Sequence, residues 1–161
     1  MAKLIIIYES NTGNTELMTN AVAEGARSVQ DVQVEVRKIG TRFSISVLRG
    51  ADAVIIGSPT IYGSISRGLV EFFSTLNHLQ AANHIALKGK KGAAFGSYGW
   101  DRGWSTERLE MELTALGVDI AAPGVSAREQ GTYGPVKTDA DDLNKCQELG
   151  KAVAEAVAPR R

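Results

Sequence analysis

Leu4-Ile5-Ile6-Ile7-Tyr8 runs into Glu9-Ser10-Asn11-Thr12-Gly13-Asn14-Thr15-Glu16, and this stretch decides the fold. Its first half, from Lys3 to Tyr8, is apolar and continuous instead of alternating, as in a strand buried on both faces. Its second half is a turn of hydroxyls and amides that leads into a helical pattern. Over 14–29, Met18, Ala21, Val22, Gly25 and Val29 fall on one face. A buried strand followed by an amphipathic helix is the opening of a β-α-β unit, whose strands lie parallel.

The same alternation continues along the chain. Val32, Val34 and Val36 alternate with polar residues, which suits a strand at a sheet edge, open to water on one side. Residues 53–57 form the next buried run, and Leu69, Phe72, Phe73 and Leu76 mark a helix after it. Residues 92–96 are a strand of small side chains. Leu109, Leu113 and Leu116 follow at helical spacing, and Gly117 is placed to end that helix. Residues 118–122 are the expected fifth strand. Asp139 can cap a last helix whose inward face is Leu143, Cys146, Leu149, Val153 and Val157. The pattern is β-α repeated five times. It predicts an α/β fold, a doubly wound parallel sheet with helices on both faces, as one domain over residues 1–161.

Composition removes several function classes. Eighteen basic residues balance eighteen acidic ones, so the chain has no strong field to attract nucleic acid or an anionic membrane. The compact basic cluster Lys88, Lys90, Lys91 reads as a solvated turn. The single cysteine, Cys146, excludes an internal disulfide and a cysteine-built metal site, and its place on an apolar helix face makes an inert thiol. His78 and His84 read as surface residues, and no metal site is expected. The apolar run near the N-terminus is too short for a secretion signal and no run is long enough to span a bilayer. A cytoplasmic protein, with a monomer favoured, is expected.

In an open parallel sheet, ligands bind beyond the carboxyl ends of the strands. The loops after the first, third and fourth strands are therefore the candidate site. The first, Ser10-Asn11-Thr12-Gly13-Asn14-Thr15, opens a helix, where unpaired amides and the helix dipole favour an anion. It contains no lysine or arginine, so it is not a nucleoside triphosphatase loop, and the dinucleotide fingerprint Gly-x-Gly-x-x-Gly is absent. It suits one terminal phosphate held by neutral donors. The second loop, Ser58-Pro59-Thr60-Ile61-Tyr62-Gly63, offers a flat ring at Tyr62 beside a pliant glycine peptide. The third, Ser97-Tyr98-Gly99-Trp100-Asp101 with Gly103, holds Trp100 and, just beyond, Trp104. Such clustered aromatics on a glycine-rich loop call for a planar cover. Trp100 is expected to meet that cover and Trp104 to pack on the following helix. Glu9 is expected to be solvated.

The motif Tyr8-Glu9-Ser10-Asn11-Thr12-Gly13-Asn14-Thr15-Glu16 resembles the phosphate loop of flavodoxins, Ser/Thr-x-Thr-Gly-Asn-Thr, and the resemblance extends over nearly the whole chain. It implies a five-stranded sheet of order 2-1-3-4-5 and one bound FMN. Ser10 to Thr15 would hold the phosphate, and the other two loops would flank the ring. It also implies that the Gly63 peptide can turn its carbonyl toward the flavin N5–H in the one-electron-reduced state. Ser58-Pro59-Thr60-Ile61 and Phe95-Gly96-Ser97-Tyr98-Gly99-Trp100 look most like the flavodoxin-like domain of A-type flavodiiron proteins, but this chain has no His-x-Glu-x-Asp-His run from which a di-iron site could be built. The resemblance therefore implies an electron carrier with no catalytic residues, working between a reductase donor and an unidentified acceptor. Typical flavodoxins are acidic and this chain is neutral, so their usual basic partners do not carry over. An FMN-dependent NAD(P)H:quinone reductase is the alternative. A receiver domain of the same topology is excluded, because strand three ends in Gly57-Ser58-Pro59, not in a phosphorylatable aspartate.

Overall fold

The computed structural model describes residues 1–99, 103–129 and 138–160. The first strand, β1 (Ala2–Tyr8), lies inside the sheet. It pairs in parallel with β2 (Val32–Lys38) on one side and β3 (Ala53–Pro59) on the other, so that Ile6 sits between Val36 and Ile55. β4 (Lys91–Tyr98) continues the sheet beside β3. The last position is shared by β5 (Asp119–Ile120) and β6 (Val125–Arg128), both parallel to β4. The order is β2-β1-β3-β4-β5, as the resemblance implies.

Two details differ from the sequence reading. The expected strand over 118–122 is shortened to Asp119–Ile120, and β6 (Val125–Arg128), which the sequence reading did not place, takes up the same edge of β4 beyond Pro123, a residue with no amide to give the ladder. The expected five β-α repeats contain four α-helices: α1 (Asn14–Arg27), α2 (Arg67–Ala81), α3 (Trp104–Ala115) and α4 (Ala140–Val157). The connection from β2 to β3 carries only a 3₁₀ turn, Ile45–Leu48, whose cap Ser44 Oγ accepts from Ser46 N at 3.2 Å. Its apolar residues Phe43, Ile45 and Val47 come every second position, so no helical face forms there.

β1 explains its own composition. Leu4, Ile6 and Tyr8 pack into the core under α1 and α4, whereas Ile5 and Ile7 pack into the core under α2 and α3. Each buried aliphatic side chain contributes about 1.5–3 kcal/mol. β2, at the edge, is only partly buried, as its alternation indicates. There Glu35 pairs with Lys3 (3.2 Å) and Arg37 (3.0 Å). Cys146 is fully buried on α4, and burial pushes its thiol up to about 12. Asp139 caps α4, accepting from Asp141 N at 2.7 Å. Among the described residues, no helix is long and apolar enough to cross a membrane.

Helices α1 and α4 touch backbone to backbone. A Cβ at Gly150 would collide with the Val22 carbonyl oxygen, and one at Gly25 with the Gln147 carbonyl oxygen. Alanine has the better helix propensity, but here it would wedge apart two helices that close one side of the core. Gly150→Ala should therefore destabilise the protein by about 1–3 kcal/mol. A urea midpoint equal to or above the parent's would show that the helices separate at no cost.

Candidate cofactor site

The loop after β1 enters α1 through Gly13, the N-cap, at φ 98°. The left-handed conformation suits glycine and leaves the cap without a side chain of its own. Ser10 takes that role from a distance: its Oγ accepts from Gly13 N at 3.2 Å and from Glu16 N at 3.3 Å. The first helical bond runs from Leu17 N to Gly13 O at 3.1 Å. Among the described residues, the amides of Asn14 and Thr15 have no acceptor, although both residues are buried. Two unpaired amides at a helix start, ringed by hydroxyls, fit an anion such as a phosphate monoester.

The structure joins the loops that the sequence presents separately. Thr15 Oγ1 lies 2.9 Å from Ser97 Oγ, inside the protein. The Ser97 carbonyl accepts from Thr60 N at 2.8 Å, and Thr60 Oγ1 donates to Ser105 Oγ at 2.7 Å. Thr138 Oγ1, just before α4, donates to Asn14 Oδ1 at 3.0 Å. Ser10 to Thr15, Ser58 to Gly63, and Ser97 to Gly99 with Gly103 thus share one end of the sheet. Trp100 and Asp101 lie outside the described residues.

Ile61 and Ser64 close a tight turn with two backbone bonds of 2.8 and 3.0 Å. Both central residues have positive φ, 48° at Tyr62 and 77° at Gly63. That is the type I′ pattern, unfavourable for a tyrosine and natural for a glycine. The Tyr62 ring is 96% exposed, and it covers no part of the loop. Trp104 does not behave as expected. It opens α3, but its ring reaches back to the turn, where a Cβ at Gly63 would lie 3.3 Å from Trp104 Cε3, and the residue stays 55% exposed.

Two carboxylates have structural tasks. Glu9, expected to be solvated, accepts a hydrogen bond from Ser66 Oγ, and a Cβ at Gly68 would stand 2.8 Å from its Oε2. It places negative charge at the start of α2, which has no acidic residue in its own first turn. Glu16 accepts from Tyr8 Oη at 2.7 Å and lies 3.5 Å from Lys38 Nζ. The Tyr8 bond, followed by Lys38, holds the Glu16 carboxyl below its usual range. Burial, followed by the Glu16 bond and charge, pushes the Tyr8 phenol up to about 12. Sequence reasoning missed Glu129. Its Oε1 accepts from Ser97 Oγ at 3.2 Å and Thr12 Oγ1 at 3.3 Å, and its amide donates to Tyr98 O at 2.7 Å. No motif flags it; only the pairing of β6 with β4 brings it to the loop.

A doubly wound parallel sheet, with an anion loop at the end of its first strand and two further loops beside it, defines a nucleotide- or flavin-binding α/β protein. The flavodoxin family's sequence model matches residues 6–149, and the chain belongs to that family. A flavodoxin from Aquifex aeolicus is 31% identical over 98% of this chain and 88% of its own length. The type A flavoprotein of Rhodobacter capsulatus is 30% identical over 98% of this chain, which spans only 34% of that protein. An NAD(P)H dehydrogenase (quinone) of Caulobacter vibrioides is 27% identical over 83% of this chain and 79% of its own. Among solved structures, the rubredoxin oxygen:oxidoreductase of Desulfovibrio gigas superposes with a TM-score of 0.81 at 28% identity, over 96% of this chain and 36% of that one. Family membership implies a flavin cofactor and redox partner proteins.

The neutral Tyr8 phenol is favoured by folding, so its contribution is present in full below pH 10 and is lost as pH rises through about 12. An absorbance titration of the native protein should show one of its four tyrosines ionising near 12. Tyr8→Phe should remove that step. Its survival in the variant would assign the step elsewhere.

Proposed function

We propose that this chain is one FMN-binding unit that carries electrons between redox proteins, taking them from a reductase and passing them to an acceptor protein. The observation that carries this reading is the Ser10–Thr15 loop: two unpaired amides at the α1 N-terminus, surrounded by neutral hydroxyls, with no dinucleotide fingerprint beside them. Such a loop suits the single phosphate of FMN and not the diphosphate of FAD. Ser10, Asn11, Thr12, Gly13, Asn14 and Thr15 would hold the phosphate. Ser58 to Gly63 and Ser97, Tyr98, Gly99, Trp100, Asp101 and Gly103, of which Trp100 and Asp101 lie outside the described residues, would flank the ring.

Bound FMN supplies one- and two-electron redox chemistry. The protein's part is to hold the phosphate end, keep the ring near the surface and govern hydrogen bonding at its edge. Rotation of the peptide between Tyr62 and Gly63 would exchange a carbonyl for an amide at the turn's tip, and the strained tyrosine φ lowers the cost of leaving the present state. Cys146 lies away from this chemistry, buried with a raised pKa. A cytoplasmic, monomeric carrier completes the reading, in keeping with a single buried thiol that builds no internal disulfide.

Acid release of the cofactor should give one FMN per chain, and recovery of FAD would overturn the reading. Ser10→Ala and Thr15→Ala each remove a hydrogen bond to a charged oxygen, worth about 1.5–3 kcal/mol, so FMN affinity should fall about tenfold to a hundredfold. Riboflavin affinity should hardly change. Dithionite should reduce the protein in two resolved one-electron stages. Gly63→Val, β-branched at φ 77°, should bring those stages closer together. The similarity to an NAD(P)H dehydrogenase (quinone) favours one other reading, a reductase. Rapid oxidation of NADH or NADPH by the pure protein with a quinone would establish it in place of the carrier.

A further inference from the structure

We propose that Glu129 competes with the flavin phosphate for the loop's own hydroxyls and so sets how strongly the site prefers a phosphorylated flavin. This rests on the FMN reading above. Glu129 is fixed in place by its amide, which donates to Tyr98 O at 2.7 Å where the chain leaves β6 beside β4. From there its half-buried side chain reaches the loop after β1. One carboxylate oxygen accepts from both Thr12 Oγ1 (3.3 Å) and Ser97 Oγ (3.2 Å). Those hydroxyls belong to the network that rings the unpaired amides. Ser97 Oγ meets Thr15 Oγ1 at 2.9 Å, and Thr12 Oγ1 accepts from Asn14 Nδ2 at 3.2 Å.

The carboxylate therefore sits at the rim of the cradle as an internal anion. The loop carries no lysine or arginine, and among the described residues none forms an ion pair with Glu129. Among the described residues its side chain is held by hydroxyl donors alone, which an incoming phosphate also needs. Two anions cannot share these donors without a cation between them, and like charges at contact distance repel strongly in a half-buried place. Phosphate binding must expel the Glu129 carboxylate from Thr12 and Ser97. Riboflavin, which has no phosphate, leaves it where it is. Glu129 also satisfies the two hydroxyls of the empty site and so keeps the loop in its binding shape.

The test is Glu129→Gln, which keeps one acceptor oxygen and the length of the side chain and removes the charge, an amide NH2 standing in place of the second oxygen. With flavin-free protein, fluorescence titration should show FMN binding about tenfold tighter in Glu129→Gln than in the parent. Riboflavin binding should be unchanged. Glu129→Asp, which retains the charge on a shorter arm, should fall between them for FMN. Inorganic phosphate should raise the melting temperature of the flavin-free Glu129→Gln protein more than that of the parent. FMN affinity equal to or below the parent's, or an equal gain for both flavins, would overturn the proposal. If the parent binds no FMN, the cofactor reading fails, and the phosphate measurement still decides the competition at the loop.

Discussion

From Leu4 to Tyr8, every residue of β1 is paired in register with a strand on each side, and both of its faces are covered by core. A strand so enclosed offers water neither an edge nor a face. Its chain can leave only at the carboxyl end, and it must return over the sheet to reach the next parallel strand. The ladder even extends past the strand, with Glu9 N bonded to Gly57 O and Ile39 N to Tyr8 O. The reversal is made at Gly13, and the first helical amides are left unpaired where the three loops gather. The anion loop is thus a consequence of burying β1. Its hydroxyls decide what the loop can hold, but the topology decides that there is a loop to hold it.

Ser97 ties this end of the molecule together. Its carbonyl holds Thr60, its hydroxyl meets Thr15, and the same hydroxyl donates to Glu129. One small buried residue thereby links the loop after β1, the loop after β3 and the end of β6. A larger side chain would not fit there, because Ser97 is packed under α1 with almost no exposure. On the opposite face of β1, Glu9 links strand to helix by lending its charge to α2, directly beyond the Tyr62–Gly63 turn. The two faces of the sheet therefore each position one side of the site, and Ser97 couples the two.

The strand-helix alternation was legible because a parallel sheet covered on both faces writes unbroken apolar runs such as Leu4–Ile7 and 53–57, whereas the sheet order came only from the resemblance to flavodoxins. The shortening of the fifth strand and the second piece, β6, beyond Pro123 were not legible, because the pairing of 125–128 with β4 is a tertiary contact. The second crossover misled because a parallel connection usually holds a helix, whereas Phe43, Ile45 and Val47 lack the spacing for one. The hydroxyl- and amide-rich turn Ser10–Thr15 that opens α1 was legible as a local motif. Glu129, Ser66 and the backward reach of Trp104 were not, because each acts on a residue far away in the chain. Glu9 looked solvated for the same reason, since its partner Ser66 is supplied only when β1 and α2 come together.

Charge placement around the loop is selective. Three carboxylates lie near it, and two of them are committed: Glu16 to Tyr8 and Lys38, Glu9 to Ser66 and the α2 terminus. Among the described residues, Glu129 is the one held by a donor of that loop, Thr12, together with Ser97 of β4 beside it. A lysine in the loop would bind an anion strongly and with little regard for direction, and it would also pair with Glu129 and keep it there. Hydroxyls and amides make directional bonds, each worth about 1.5–3 kcal/mol to a charged acceptor. A carboxylate satisfying two hydroxyls can then be displaced by a tetrahedral anion that satisfies those two and the open amides of Asn14 and Thr15 as well. With no lysine or arginine in the Ser10–Thr15 loop itself, geometry more than charge becomes the basis on which that loop distinguishes the Glu129 carboxylate from a ligand's phosphate.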